Sequence, residues 1–442
     1  MPLSTNCLKS HMRMGLLTIP TVLLLSGCGS LSWFSGEEDP RPPTKLKDLK
    51  PEITVTILWS REIGVGTDER RLNLIPALHG GRLYVADAAG RILALDAATG
   101  EVLWEQETDL AFSSGPGVDA EHIILGSSDG SLVARSVHDG AERWHARLDS
   151  EILSVPCIAG SSVVVHTLDD SVYALKLGSG DQIWKYSYLA PVLTLRGSSM
   201  PTVTDDSVIV GISDGKLVNL DLQGGVPRWE TTVTLPRGRS ELARIADIDA
   251  DPILVGDTIY VATYNGNLAA VDLTTGSVHW RRQLSTHTGL AASADMLYIT
   301  DSDDLVWAAT STKGTDIWQQ EALKYRRLTA PAVFGNLVVV GDMEGYVHWL
   351  DRRDGRLVSQ IKVADGPITG RPQVAGSRLY VYGDDGTLAA LSAGPHPYHH
   401  PNLSRLRTLA VPVPPLPVPR MQMLKLPGSK TILLRSTNKP AI

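Results

Sequence analysis

The sequence predicts an all-β fold: an eight-bladed β-propeller of four-stranded blades, with the ring closed by the N-terminal strand. Three observations carry that prediction. A turn glycine recurs at Gly100, Gly140, Gly180, Gly225, Gly276, Gly314 and Gly355, and a tryptophan follows four residues later at Trp104, Trp144, Trp184, Trp229, Trp280 and Trp318. Successive tryptophans lie 40, 40, 45, 51 and 38 residues apart, which is the period of a propeller blade. The ends of the pattern are complementary halves. Trp59, in "ITVTILWSREIG", has no repeat before it, and the final unit "SRLYVYGDDGTLAALS" stops short of its glycine-and-tryptophan strand. Pairing these halves makes an eighth blade and removes a sheet edge. A seven-bladed ring with an irregular end is the other possible closure.

The first segment, residues 1–27, reads as an export signal. Arg13 supplies a positive start and Gly15 to Leu25 an apolar run too short to span a bilayer. It ends in Leu25-Ser26-Gly27-Cys28, which resembles the bacterial lipobox and implies a diacylated Cys28 as the first mature residue. An ordinary signal peptide with an incidental Cys28 is the alternative, and Met12 and Met14 are both candidate starts. Gly29 rather than Asp after the cysteine implies sorting to the outer membrane. Residues 28–52, with "SGEEDPRPP", read as a flexible linker.

Residues 53–393 hold the propeller. Each unit reads as strands joined by tight turns. In one of them "DTIYVAT" alternates, "NLAAVDL" follows an Asn265-Gly266 turn, and "SVHW" follows Thr275-Gly276. Asn-Gly is a strong hairpin signal because its residues accept positive φ. Ser128-Asp129-Gly130, Ser213-Asp214-Gly215 and Asp384-Asp385-Gly386 fill the same slot elsewhere. The tryptophans, Trp59 included, are expected to fill the wedges between blades, where a wide side chain buries much apolar area.

The last segment, residues 394–442, differs in kind. From Pro395 onward there are 10 Pro, seven Lys or Arg and no acidic residue, whereas Cys28–Gly394 carries 32 basic and 48 acidic residues, a balance of 32 − 48 = −16. Such a proline-broken basic tail is expected to be disordered. It suits contact with anionic lipid, and it equally suits a frameshifted end. The acidic body argues against nucleic acid as a partner, because phosphates require Lys and Arg. After Cys7 and Cys28, Cys157 is the one cysteine left, so no internal disulfide is expected.

The form "ALDAATGEVLW" resembles the repeat of pyrroloquinoline-quinone dehydrogenases. In that family the Gly and Trp dock blades and take no part in catalysis. The adjacent cysteine pair common there is missing here, and no GxSxG, HExxH or phosphate loop occurs. "DSDD" (Asp301 to Asp304) sits in a turn slot and lacks EF-hand ligand spacing. No catalytic residue, metal or cofactor is therefore expected. A quinone dehydrogenase and an adhesion or glycan-binding propeller are the competing function classes.

Two crossovers between blades exceed the repeat: "KYSYLAPVLTLRGSSMPTV" after Trp184 and "TVTLPRGRSELARIADIDADPILV" after Trp229. They leave neighbouring blades on the same face, so they are expected to form one surface. Leu193, Leu195 and Arg196 combine apolar residues with a guanidinium fork, which suits an interface core. The leucines equally suit a cap over the core. Asp247, Asp249 and Asp251 alternate along the second crossover, and a solvated loop with Asp251 capping the turn before Pro252 is their bland reading.

A lipobox, an acidic spacer, eight tryptophan-docked blades, "LTLRG" and "RIADIDADP" together resemble the BamB family, lipoproteins of the outer-membrane β-barrel assembly (BAM) machinery. The resemblance runs from about Met14 to Ser392. It implies a non-catalytic scaffold on the periplasmic face of the outer membrane of a Gram-negative bacterium, anchored by lipid on Cys28. It further implies that Leu193, Leu195, Arg196, Asp247 and Asp249 contact the periplasmic POTRA domains of BamA. Help to unfolded outer-membrane proteins would come from orienting those domains or from offering strand edges to the substrates. Three departures from the family pattern stand out. Ser359 replaces a docking tryptophan and is expected to loosen its blade, Thr310 replaces a turn aspartate, and the basic tail is added.

Overall fold

The alternating apolar stretches pair antiparallel with their chain neighbours and build eight separate sheets of four strands each. The computed structural model describes residues 41–189 and 193–395. The leader, Cys28 and the tail beyond Pro395 lie outside the described residues. Blades 1 to 7 follow in chain order over residues 77–107, 117–147, 157–187, 202–232, 253–283, 289–320 and 332–362. Innermost strands of successive blades touch, and core clusters form where one blade's face meets the next, as Ile124 and Leu132 meet Val163 and Tyr173.

Blade 8 is split. Its inner three strands are Gln373–Ala375, Arg378–Tyr382 and Thr387–Pro395, and its outermost strand is Ile53–Glu62 from the start of the propeller. The register runs from Ile53 opposite Pro395 to Glu62 opposite Thr387, with a bulge between Ile57 and Trp59. The eight-bladed closure is thus the observed one, and the last strand continues two residues past 393.

The turns follow the sequence signals with one adjustment. At Asn265-Gly266 only the asparagine has positive φ (49°). Gly266 is required for space instead, since a Cβ there would collide with the hydroxyls of Thr263 and Thr234. At the equivalent hairpins Gly130 and Gly386 take the positive φ themselves, at 85° and 89°.

The seven repeat glycines receive the tryptophans of the preceding blade. A Cβ on Gly100 would stand 2.6 Å from the Trp59 indole, and Gly140, Gly180, Gly225, Gly276, Gly314 and Gly355 meet Trp104, Trp144, Trp184, Trp229, Trp280 and Trp318 in the same way. Each indole Nε1 donates to a carbonyl of that next turn, as Trp104 does to Val137 O at 3.0 Å and Trp280 to Ser311 O at 3.0 Å. One junction therefore combines apolar burial with a satisfied N–H.

Ser359 does not leave its blade loose. It is 3% exposed and pairs across the sheet with Trp349, which is fully buried on the third strand. Elsewhere the tryptophan is on the fourth strand, opposite an alanine as Trp104 is opposite Ala94, or opposite Asn219 in the case of Trp229. The reason for the exchange lies in the next blade. Blade 8 is assembled from two chain ends, so it has no turn glycine to receive a fourth-strand indole. Thr310 makes a different bond from the aspartate it replaces: its Oγ1 accepts from Thr315 N at 3.1 Å, whereas Asp96 Oδ1 accepts from Ala98 N and Thr99 N in the equivalent turn.

Part of the expected flexible linker is docked. Thr44 N donates to Lys324 O at 3.0 Å, Gln360 Nε2 to Lys47 O at 3.1 Å, and Glu52 N to Val358 O at 2.8 Å. Residues 44–52 thus form a strap along blades 6 and 7, beside the seam that has no turn. At its upper end the buried Arg326 donates to Thr44 O at 3.0 Å and, through Nε, to Asp342 Oδ2 at 2.8 Å. Asp342 also meets His348 Nε2 at 2.8 Å.

Candidate functional site

Residues 188–201 carry the chain from blade 3 to blade 4, and residues 233–252 carry it from blade 4 to blade 5. Both lie on the face of the hairpins between second and third strands. Val233 N donates to Gly215 O of one such hairpin, and Tyr264 N of the next donates to Asp247 O.

The second crossover is a plug rather than a solvated loop. Ile245, Ala246, Ile248 and Ala250 are each no more than 5% exposed, and Ile248 packs with Ile209, Leu217 and Val233. Gly211 admits it, because a Cβ at that position would overlap the Ile248 side chain. Burial of this apolar run carries the aspartates inward with it. Asp247 is 3% exposed, and its Oδ2 accepts from Leu195 N at 2.6 Å. Asp251 Oδ1 accepts from Met200 N at 2.8 Å. Between them Asp249 lies against Gly197, where a Cβ would stand 2.6 Å from its carboxylate.

Three alternating carboxylates therefore face the first crossover. Irregular backbone leaves N–H groups that need acceptors, and Asp247 and Asp251 supply them. In this structure Asp247 acts as a clamp on Leu195 N. The enclosure changes its acidity. Burial pushes the Asp247 carboxyl up to about 6, and burial together with the adjacent Asp247 charge pushes Asp249 up to about 7. His166 and Asp170 complete the crevice, with Nε2 and Oδ1 3.5 Å apart. Among the described residues no group of three or more His, Cys, Asp or Glu is arranged to hold a metal ion.

The clamped loop sorts its side chains. Leu193 is 45% exposed, while Leu195 is half-buried beneath the clamp. Arg196 is exposed, yet it does not point freely to solvent. Its Nη1 donates to Arg71 O and its Nη2 to Glu151 Oε1, both at 2.6 Å. Two further apolar residues of the same crossovers escaped the sequence reading: Leu189 is 93% exposed and Leu235 is 63% exposed. Leu189 stands two residues before Pro191 and Leu235 directly before Pro236, both outside any blade strand. An apolar residue in a proline-bearing, non-repeat stretch was the available signal.

The family model described as outer membrane protein assembly factor BamB matches residues 51–145, 107–320 and 308–395. Outer membrane protein assembly factor BamB of Pseudomonas aeruginosa is 47% identical over 368 residues, covering 83% of this chain and 96% of that protein. This chain belongs to the BamB family. BamB of Escherichia coli is 35% identical over 382 residues, covering 84% of this chain and 97% of its own. The crystal structure of BamB from Moraxella catarrhalis superposes with a TM-score of 0.71 at 29% identity, over 77% of this chain and all (100%) of that one. A quinohemoprotein alcohol dehydrogenase from Comamonas testosteroni also superposes, with a TM-score of 0.61 over 76% of each chain. At 13% identity that likeness concerns the propeller fold alone.

Proposed function

We propose that this chain is a non-catalytic scaffold of the BAM complex, held at the periplasmic face of the outer membrane by lipid on Cys28 and bound to the POTRA domains of BamA. The observation that carries the reading is the interlock of the two long crossovers. Asp247 fixes Leu195 N, and the fixed loop offers Leu193 to solvent beside the Arg196 guanidinium. An apolar anchor next to a planar charged fork, on a loop whose backbone is already ordered, suits a docking surface, because little entropy remains to be lost on binding. Leu189 and Leu235, on the same two crossovers, are exposed as well. The partner surface that fits is apolar with an acidic group opposite Arg196.

Two of the three carboxylates on the second crossover, Asp247 and Asp251, are committed to backbone N–H groups, which supports a scaffolding role for these loops. The family's naming as assembly factors points the same way. The test is capture of the BamA POTRA domains by the full lipidated chain in detergent, run beside Arg196→Glu. Capture by wild type and loss in Arg196→Glu, at an unchanged melting temperature, is the expected result. Equal capture by both would move the site elsewhere on the ring, and no capture by folded wild type would overturn the reading.

A further inference from the structure

In the free protein the Arg196 guanidinium is already engaged with a carboxylate of its own chain. Its Nη2 lies 2.6 Å from Glu151 Oε1, and its Nη1 donates to the carbonyl of Arg71 at 2.6 Å. These acceptors sit on two further connections of the same ring. Glu151 belongs to residues 148–156, between blades 2 and 3, and Arg71 to residues 63–76, between the outer strand of blade 8 and blade 1. The Arg196 side chain therefore reaches sideways across the ring face, while Leu193, three residues earlier, is turned to solvent.

Glu151 is well placed to hold that position. Its backbone is fixed by Leu168 N, which donates to Glu151 O at 2.9 Å. Its side chain is 15% exposed against 45% for Arg196, so the carboxylate is the more sheltered member of the pair. Among the described residues Arg196 is its one ion-pair partner. A guanidinium recognises a carboxylate through its Nη and Nε donors in a fixed fork. The Nη2 donor that Glu151 holds is one that a docking carboxylate would need.

We propose that Glu151 is an internal competitor for Arg196: it holds the guanidinium against the ring in the free protein, and an acidic partner surface docks by exchanging its own carboxylate for that of Glu151. This rests on the reading of the Leu193–Arg196 loop as the partner-binding surface. The consequence is a lowered affinity, because the partner binds the fraction of molecules in which Arg196 is released. A second consequence is selectivity. A surface with apolar groups for Leu193 but no carboxylate cannot displace Glu151 and leaves Arg196 turned aside.

The experiment measures affinity of the full lipidated chain, in detergent, for the BamA POTRA domains. The variants are Glu151→Gln, Arg196→Gln and the double substitution. Glu151→Gln is expected to bind about two- to fivefold tighter, the range given by a partly exposed ion pair, and the gain is expected to vanish when Arg196 is also Gln. Binding that is unchanged or weaker in Glu151→Gln, at wild-type melting temperature, overturns the competitor while leaving the docking surface standing. Absence of binding by wild type and Glu151→Gln alike overturns both. If Glu151→Gln proves unstable, Glu151→Asp takes its place. It keeps the charge but shortens the reach to Arg196, so tighter binding supports the proposal and unchanged or weaker binding overturns it.

Discussion

Trp349 meets Phe334 edge to face, with ring centroids 5.3 Å apart and planes at 88°. The pair fills the junction of blades 7 and 8, together with Leu379, Val381 and Ala389. It replaces the indole-on-glycine contact used at the other seven junctions. Unlike those indoles, Trp349 has a buried Nε1 with no hydrogen-bond partner.

Tryptophans in the two settings should therefore respond differently to substitution. Trp280→Phe removes a hydrogen bond to Ser311 O and leaves that carbonyl unpaired, with an expected loss of about 1–3 kcal/mol. Trp349→Phe removes an unsatisfied donor and should cost clearly less. Truncation of either to alanine should cost about 3–5 kcal/mol. Chemical denaturation of the four variants checks this. Equal losses for the two phenylalanine variants would mean that the Nε1 bonds contribute nothing.

The clamp on the first crossover can be removed without touching Leu193 or Arg196. Asp247→Ala leaves Leu195 N without its 2.6 Å acceptor, and about 1–3 kcal/mol of local stability is expected to go. Capture of POTRA domains should fall with it, and Asp247→Asn, which keeps an acceptor oxygen, should recover most of both. Hydrogen exchange at the Leu195 amide, read beside the capture assay, decides the matter. Wild-type capture by Asp247→Ala would show that the loop needs no clamp.

Protonation should strengthen this region. The carboxyls of Asp247 and Asp249 are raised, to about 6 and about 7, above the ordinary value near 4. The unfolded chain releases these protons first as pH rises, so their ionisation destabilises the fold progressively between about pH 4 and pH 7. Asp249→Asn should raise the melting temperature at pH 8 by about a degree or two and flatten its decline over that window. An identical pH profile for wild type and Asp249→Asn would place the titrating group elsewhere.

The strap offers a proteolytic readout. Arg326 is 2% exposed and bonded to Asp342 as well as to Thr44 O. Arg326→Met would leave Asp342 buried with one cationic partner fewer, a change of about 3–5 kcal/mol for a buried pair. It would also release the upper strap. Trypsin should then cut after Lys45 and Lys47 faster than in wild type at temperatures well below unfolding, whereas Pro51 protects the bond after Lys50. Unchanged cleavage would show that Arg326 does not hold the segment.

The blade count, the split eighth blade and the seven docking tryptophans follow from the sequence alone. They rest on local patterning, with alternation within strands, glycine where a turn or a close approach demands it, and a fixed period between indoles. Folding decided what lies between distant segments. Nothing in "RIADIDADP" says that Ile248 sinks into the core of blades 4 and 5 and turns Asp247 toward Leu195 N, 52 positions earlier in the chain. Nothing near Arg196 says that its guanidinium rests on Glu151 and on the Arg71 carbonyl. Ser359 reads as a defect until Trp349 is seen across from it, beside the seam that lacks a turn glycine. The physical reason is common to all three cases. A backbone N–H, a carboxylate or an indole is satisfied by whichever group the closed ring brings within about 3 Å, and that distance is set by eight blades meeting, not by any one of them.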